Sequence, residues 1–241
     1  MPRLDRLPPP PAVPVRSPPV TVAGEESARV AGFDGGPSLD ARVHAPVGAQ
    51  RVVVLCHPHP LYGGSMHSPV PLVLAKTLAE KGKDHVAWAR FDFRGVGASD
   101  GNYDQGRGEV DDARAVIAHL RRRLPGAPIT VCGHSFGSWV GLRAAAQEGE
   151  SVDRVLLVAP SVRFFELRDE ELRFGGQKTI FVGTEDEFVD VDEARDFAGR
   201  ISAELRVFDG FDHHFLRSRR ALAEAALPVI APECTQDVKA P

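Results

Sequence analysis

The 241-residue chain is poor in sulfur and in the larger aromatics, with three cysteines, two methionines, two tryptophans and two tyrosines. Cys56, Cys132 and Cys234 are far apart and form no C-x-x-C pair. That excludes a zinc ribbon and a dithiol redox motif, and a chain this long needs no disulfide framework. Cys56 and Cys132 sit in apolar runs and read as reduced core residues. There is no uninterrupted apolar run of about 18 residues, so no spanning helix and no membrane partner are expected. The start, MPRLDRLPPPPAVPV, has no continuous apolar segment, and its prolines would break a secretory helix. A reducing cytoplasm is the expected compartment.

Charge of one sign is also missing. Lys and Arg total 29 and Asp and Glu 33, for a net charge of −4. Neither value points to nucleic acid. The run Arg121-Arg122-Arg123 reads as the end of a helix, where cations oppose the dipole.

Proline, by contrast, is concentrated at the start. Residues 1–18 read as a disordered Pro-rich tail, residues 19–231 as one domain, and residues 232–241 as a loose end. Deletion of 1–18 is expected to cost little. Between the tails, apolar runs alternate with helical stretches. Strands are expected at 20–23, 39–45, 51–56, 86–93, 128–132, 155–159, 179–182 and 205–208. Helices are expected at 70–81, 109–124, 136–147, 192–200 and 218–227. RVVVLC at 51–56 is nearly all β-branched, as suits a strand buried on both faces. This alternation implies an α/β fold with a mostly parallel sheet of about eight strands and helices on both faces.

One junction carries chemistry. Gly133-His134-Ser135-Phe136-Gly137 reads G-x-S-x-G and lies between an expected strand and an expected helix. A serine there is held clear of the sheet, and the Phe136 N–H faces the same space at a helix N-terminus. Serine is a weak nucleophile, so it needs a base, and the base needs an orienting acid. The only histidines after Ser135 are His213 and His214. His213 is favoured, and His214 stays open. The acid is expected just past the strand at 179–182, and Asp186 is favoured among Glu185, Asp186, Glu187, Asp190 and Asp192. Asp190 and Asp192 read as charges and cap of the next helix.

A second oxyanion donor is expected from the loop CHPHPLYGGSM. Pro58 and Pro60 have no N–H, which leaves the amides of His57, His59 and Leu61, and His59 is favoured. The substrate wall is expected from Leu61, Tyr62, Gly63 and Met66, with Phe136 and Phe164 or Phe165 nearby. His57-x-His59 has no third ligand at a matching spacing, so no metal or cofactor is expected. Arg94, in the R-G-x-G turn, is expected to brace its loop.

Together, HPHPLYGGSM (57–66), RGVGAS, GHSFG, GTEDEFV and DHHF, in that order, resemble the α/β-hydrolase superfamily over roughly residues 20–228. The likeness is to its small lidless bacterial serine hydrolases, similar in style to dienelactone hydrolases and carboxylesterases. Dienelactone hydrolases carry cysteine at the nucleophile, where this chain has Ser135. The resemblance implies an eight-stranded sheet without a cap domain and a Ser135–Asp186–His213 triad. It also implies a small-molecule ester as partner, without nucleic acid or membrane. Peptidase and acyltransferase activities, a non-catalytic binding module, and pairing into a homodimer remain open at this point. The charged stretch ELRDEELR (166–173) reads as one short surface helix, too little for a cap. An open cleft then favours short acyl chains without interfacial activation, because a further methylene contributes only if buried.

Overall fold

The computed structural model describes residues 9–12, 16–165 and 173–236. Strand β3 (Arg51–Cys56) is buried along its whole length. Val52, Val54 and Cys56 face one core while Val53 and Leu55 face the other. A strand buried on both faces needs helices on both, and the sheet around β3 has them. β4 (Val86–Phe91) and β5 (Ile129–His134) flank β3, both parallel to it. β6 (Val152–Val158), β7 (Gln177–Gly183) and β8 (Glu204–Phe208) continue the parallel run beyond β5. β1 (Glu26–Val30) and β2 (Leu39–His44) form the antiparallel edge beside β4. The order is β1-β2-β4-β3-β5-β6-β7-β8.

α1 (Pro69–Thr77) and α5 (Arg219–Ile230) cover one face. α2 (Gly108–Arg123), α3 (Phe136–Glu148) and most of the buried side of α4 (Val191–Ile201) cover the other. α2 begins with Glu109 and Asp111 and ends with Arg121–Arg123, matching the helix field. β6 and β7 are joined by residues 159–176, so the fold has no cap domain. The helix expected at 166–173 falls almost wholly on residues 166–172, which lie outside the described residues.

Three local expectations differ from the structure. Residues 20–23 are not a strand. The amide of Val20 donates to His67 Nδ1 and its carbonyl accepts from Arg90, so side chains take the bonds a sheet would have used. The first strand is instead Glu26–Val30, whose polar sequence ESARV hid an exposed edge. The strand expected at 86–93 stops at Phe91, because the Phe93 amide donates to His57 Nε2 at 3.0 Å. The end of the chain is not loose from 232. A short helix α6 (Glu233–Gln236) follows α5. Its Glu233 accepts from Arg51 Nε at 2.9 Å, beside the Arg51–Asp153 pair at 2.8 Å.

Candidate active site

The sharpest feature at the C-terminal end of the sheet is the turn from β5 to α3. Ser135 sits at φ 54°, ψ −116°, a conformation that L-residues adopt only under constraint. Close packing supplies the constraint. A Cβ on Gly133 would lie 2.1 Å from the Gly137 carbonyl oxygen, and one on Gly137 2.4 Å from that of Cys56. The Ser135 amide donates to Val158 O at 2.8 Å, and the Ser138 hydroxyl reaches Gly133 O at 2.8 Å. The chain therefore folds back tightly, and Ser135 is held at the edge of a cleft of about 410 Å³.

His213 lines the same cleft. Its Nδ1–H donates to Asp186, with Oδ1 at 2.9 Å and Oδ2 at 3.0 Å. The Asp186 side chain is fully buried, and its Oδ1 also accepts from the amides of Phe188 and Val189, each at 2.9 Å. The carboxylate is thus pinned in one orientation and holds the ring with Nε2 free to accept a proton. His134 Nε2–H donates to the His213 carbonyl at 2.9 Å, which steadies the loop from below. Burial drives the His134 pKa well down, so it is neutral, and its Nδ1 is a buried acceptor without a partner among the described residues.

The structure brings Asp186 to His213 and not to His214. The His214 ring stands edge-on to His213 at 5.3 Å between centroids, and burial, then His213, lowers its pKa. Asp190 caps α4, accepting from the amides of Asp192 and Glu193. Ser135 Oγ does not bond His213 among the described residues. It lies 3.0 Å from the hydroxyl of Ser161.

The loop after β3 forms the opposite wall. His57 Nδ1–H donates to Pro58 O at 2.6 Å, and its Nε2 accepts the Phe93 amide. His59 Nδ1 accepts from Leu61 N–H at 3.2 Å, and its Nε2 meets the Tyr103 hydroxyl at 3.1 Å. Burial pushes the His57 pKa down to about 3 and the His59 pKa down to about 4. Both rings are neutral, and both nitrogens of each are engaged within the protein. The backbone amides of His59 and Phe136 find no acceptor within the chain among the described residues.

Tyr62, Gly63, Phe164 and Phe165 line the cleft, as does Phe136. Leu61 and Met66, also expected there, do not. Leu61 turns outward and is 36% exposed. Met66 is buried below the loop, where its amide donates to Asp92 Oδ1 at 2.7 Å. Arg94 forks onto Asp112 of α2 through Nε and Nη2, and so braces its loop. The lining residues that sequence reasoning missed include Ser161, Phe188, Leu216 and Ser17. None belongs to a local motif. Ser161 lies two residues past Ala159, which has φ 48° and whose N–H donates a hydrogen bond to Phe181 O. A positive φ at alanine has no mark in sequence.

A sheet of this order, with a serine on a strained strand-to-helix turn at its C-terminal end, defines the α/β-hydrolase class. The family model described as serine aminopeptidase, S33, matches residues 48–172, just over half of the chain, and the chain belongs to that family. An uncharacterised protein of Rickettsia prowazekii is 30% identical over 174 residues, covering 68% of this chain and 71% of that one. A pimeloyl-[acyl-carrier protein] methyl ester esterase of Nitrosomonas europaea is 35% identical over 109 residues, 45% of this chain and 39% of that one. A crystal structure of an α/β serine hydrolase without lid from Xanthomonas campestris superposes with a TM-score of 0.75 at 28% identity. It covers 90% of this chain and 98% of that one. The chain is a lidless α/β hydrolase, and no helix among its described residues is long and apolar enough to cross a membrane.

Proposed function

We propose that the chain is a serine carboxylesterase that cleaves short-acyl esters through an acyl-Ser135 intermediate. The observation that carries this reading is the Asp186–His213 pair facing the same cleft as Ser135 on its strained turn. In the reaction, Ser135 Oγ leaves Ser161 and turns to His213 Nε2, which takes its proton. Oγ attacks the ester carbon, and the oxyanion is received by the amides of His59 and Phe136. His213 then passes the proton to the departing alcohol. Water repeats the sequence on the acyl-enzyme, releasing the acid and restoring Ser135. Asp186 holds the tautomer throughout.

The cleft favours an ester over an N-terminal peptide. Its described lining contains no carboxylate to bind an α-ammonium group, and its walls are largely aromatic. Hydrolysis of p-nitrophenyl butyrate by the wild type and by Ser135→Ala, with fluorophosphonate labelling of both, tests the reading. Turnover and labelling that survive the substitution would sink it.

A further inference from the structure

The cleft does not end at its own rim. A second cavity of about 450 Å³ lies between α1 and α5, and Ser17 and Pro69 line both. An acyl chain that leaves the first cavity past Ser17 and Pro69 enters the second. The segment at that boundary is pinned: Arg16 donates to Gly64 O, and Val20 is clasped by His67 and Arg90, which holds Ser17 beside both cavities.

The two cavities differ in chemistry. The first is aromatic around the nucleophile. The second has an apolar floor of Val20, Pro69, Leu72, Val73 and Ala223. Its rim carries Lys76, Arg219 and Arg220 against a single acidic residue, Glu80. Glu80 is taken by Lys81 and Arg220 by Glu224. Lys76 and Arg219 have no ion-pair partner among the described residues. Arg219 and Arg220 also stand in the first turn of α5, where the helix field disfavours cations. Arg220 offsets this through its i,i+4 pair with Glu224, whereas Arg219 has no such compensation within the helix.

An apolar floor ending at cations suits a chain that is apolar along its length and anionic at its tip. We propose that the second cavity is a subsite for the anionic end of an elongated acyl chain, with Lys76 and Arg219 as the residues that select it. This rests on the esterase reading above. It extends the short-acyl preference: a neutral chain of the same length would leave a methyl group among unpaired charges, whereas a carboxylate or phosphate would meet them.

The test separates binding from turnover. Ser135→Ala is titrated with monomethyl adipate and monomethyl suberate and with their neutral counterparts, methyl hexanoate and methyl octanoate. The charged esters should bind about five- to tenfold more tightly, the range expected for two exposed ionic contacts. That advantage should vanish in the triple variant with Lys76→Gln and Arg219→Gln added, at an unchanged thermal midpoint, and should shrink with added salt. Equal binding of charged and neutral esters, or an advantage untouched by the two substitutions, overturns the subsite. If the charged esters bind more tightly and the wild type turns over no ester, the subsite stands and the esterase reading falls.

Discussion

The hydroxyls of Ser135 and Ser161 lie 3.0 Å apart, and this bond replaces the one Ser135 needs with His213. A resting partner for the nucleophile has a kinetic consequence. A neutral hydrogen bond of this kind contributes about 0.5–1.5 kcal/mol. Ser161→Ala should therefore raise the rate of fluorophosphonate labelling by up to about tenfold, read by time-resolved mass spectrometry. A slower rate would mean that Ser161 supports the reacting geometry instead of holding Ser135 back.

The acid and base are separable by substitution. Ser135→Ala and His213→Ala should each lower kcat by about 10⁴-fold or more, and Asp186→Asn by a similar factor through the wrong tautomer. His214→Ala should be mild, since Asp186 does not reach it. Asp190→Asn should leave kcat nearly unchanged, because Asp190 is occupied in capping α4. Steady-state rates on p-nitrophenyl butyrate decide, and an exchange of the severe and mild members would contradict the assignment.

Asp92 ties stability to pH. Burial pushes its pKa up to about 6, with the Met66 amide opposing. The folded chain holds this proton more tightly than the unfolded chain, whose carboxyl titrates near the ordinary value of about 4. The resulting stabilisation is complete below about pH 4 and is lost as the pH rises through about 6. Asp92→Asn keeps an acceptor for Met66 N–H and has no charge to bury. It should flatten the midpoint profile across that window and raise the midpoint near neutrality. Thermal scans from pH 4 to 8 would show this, and an unaltered profile would rule Asp92 out as the source.

A buried ion pair anchors the segment that walls the cleft. Arg90 and Glu25 have no exposed side-chain surface, and Arg90 also holds the Val20 carbonyl. Glu25→Ala leaves a guanidinium buried without its counter-charge, at a cost of about 3–5 kcal/mol. In a domain of this size that lowers the midpoint by about ten degrees. Glu26→Ala is the control, since its pair with Arg123 is exposed and should contribute less than about 1 kcal/mol. Equal effects of the two substitutions would show that the Arg90 clasp is not what holds the segment.

What the sequence determined by itself is local and periodic. The β-branched run of β3, the glycines around Ser135 and the charge order of α2 each act within a few residues of themselves. They therefore announced the buried strand, the sharp turn and the helix without help from the rest of the chain. The cap at Asp190 was legible for the same reason. The tertiary structure alone decided matters that depend on residues far apart in the chain. Asp186 and His213 were favoured in the sequence by their places after successive strands, but the choice of His213 over His214 was settled only where the loop after β8 brings the His213 ring against the Asp186 carboxylate. Ser161 met Ser135 because a strained turn at Ala159 brings the end of β6 over the elbow. Leu61 and Met66 took opposite sides of one loop because the Met66 amide found Asp92, a partner on β4's outgoing chain. Arg16–Val20, indistinguishable from its proline-rich surroundings by composition, is held by Arg90 and His67 through bonds that span more than 40 residues. Such bonds form only after the sheet has set the distance between their partners, and nothing in the neighbouring residues records that distance.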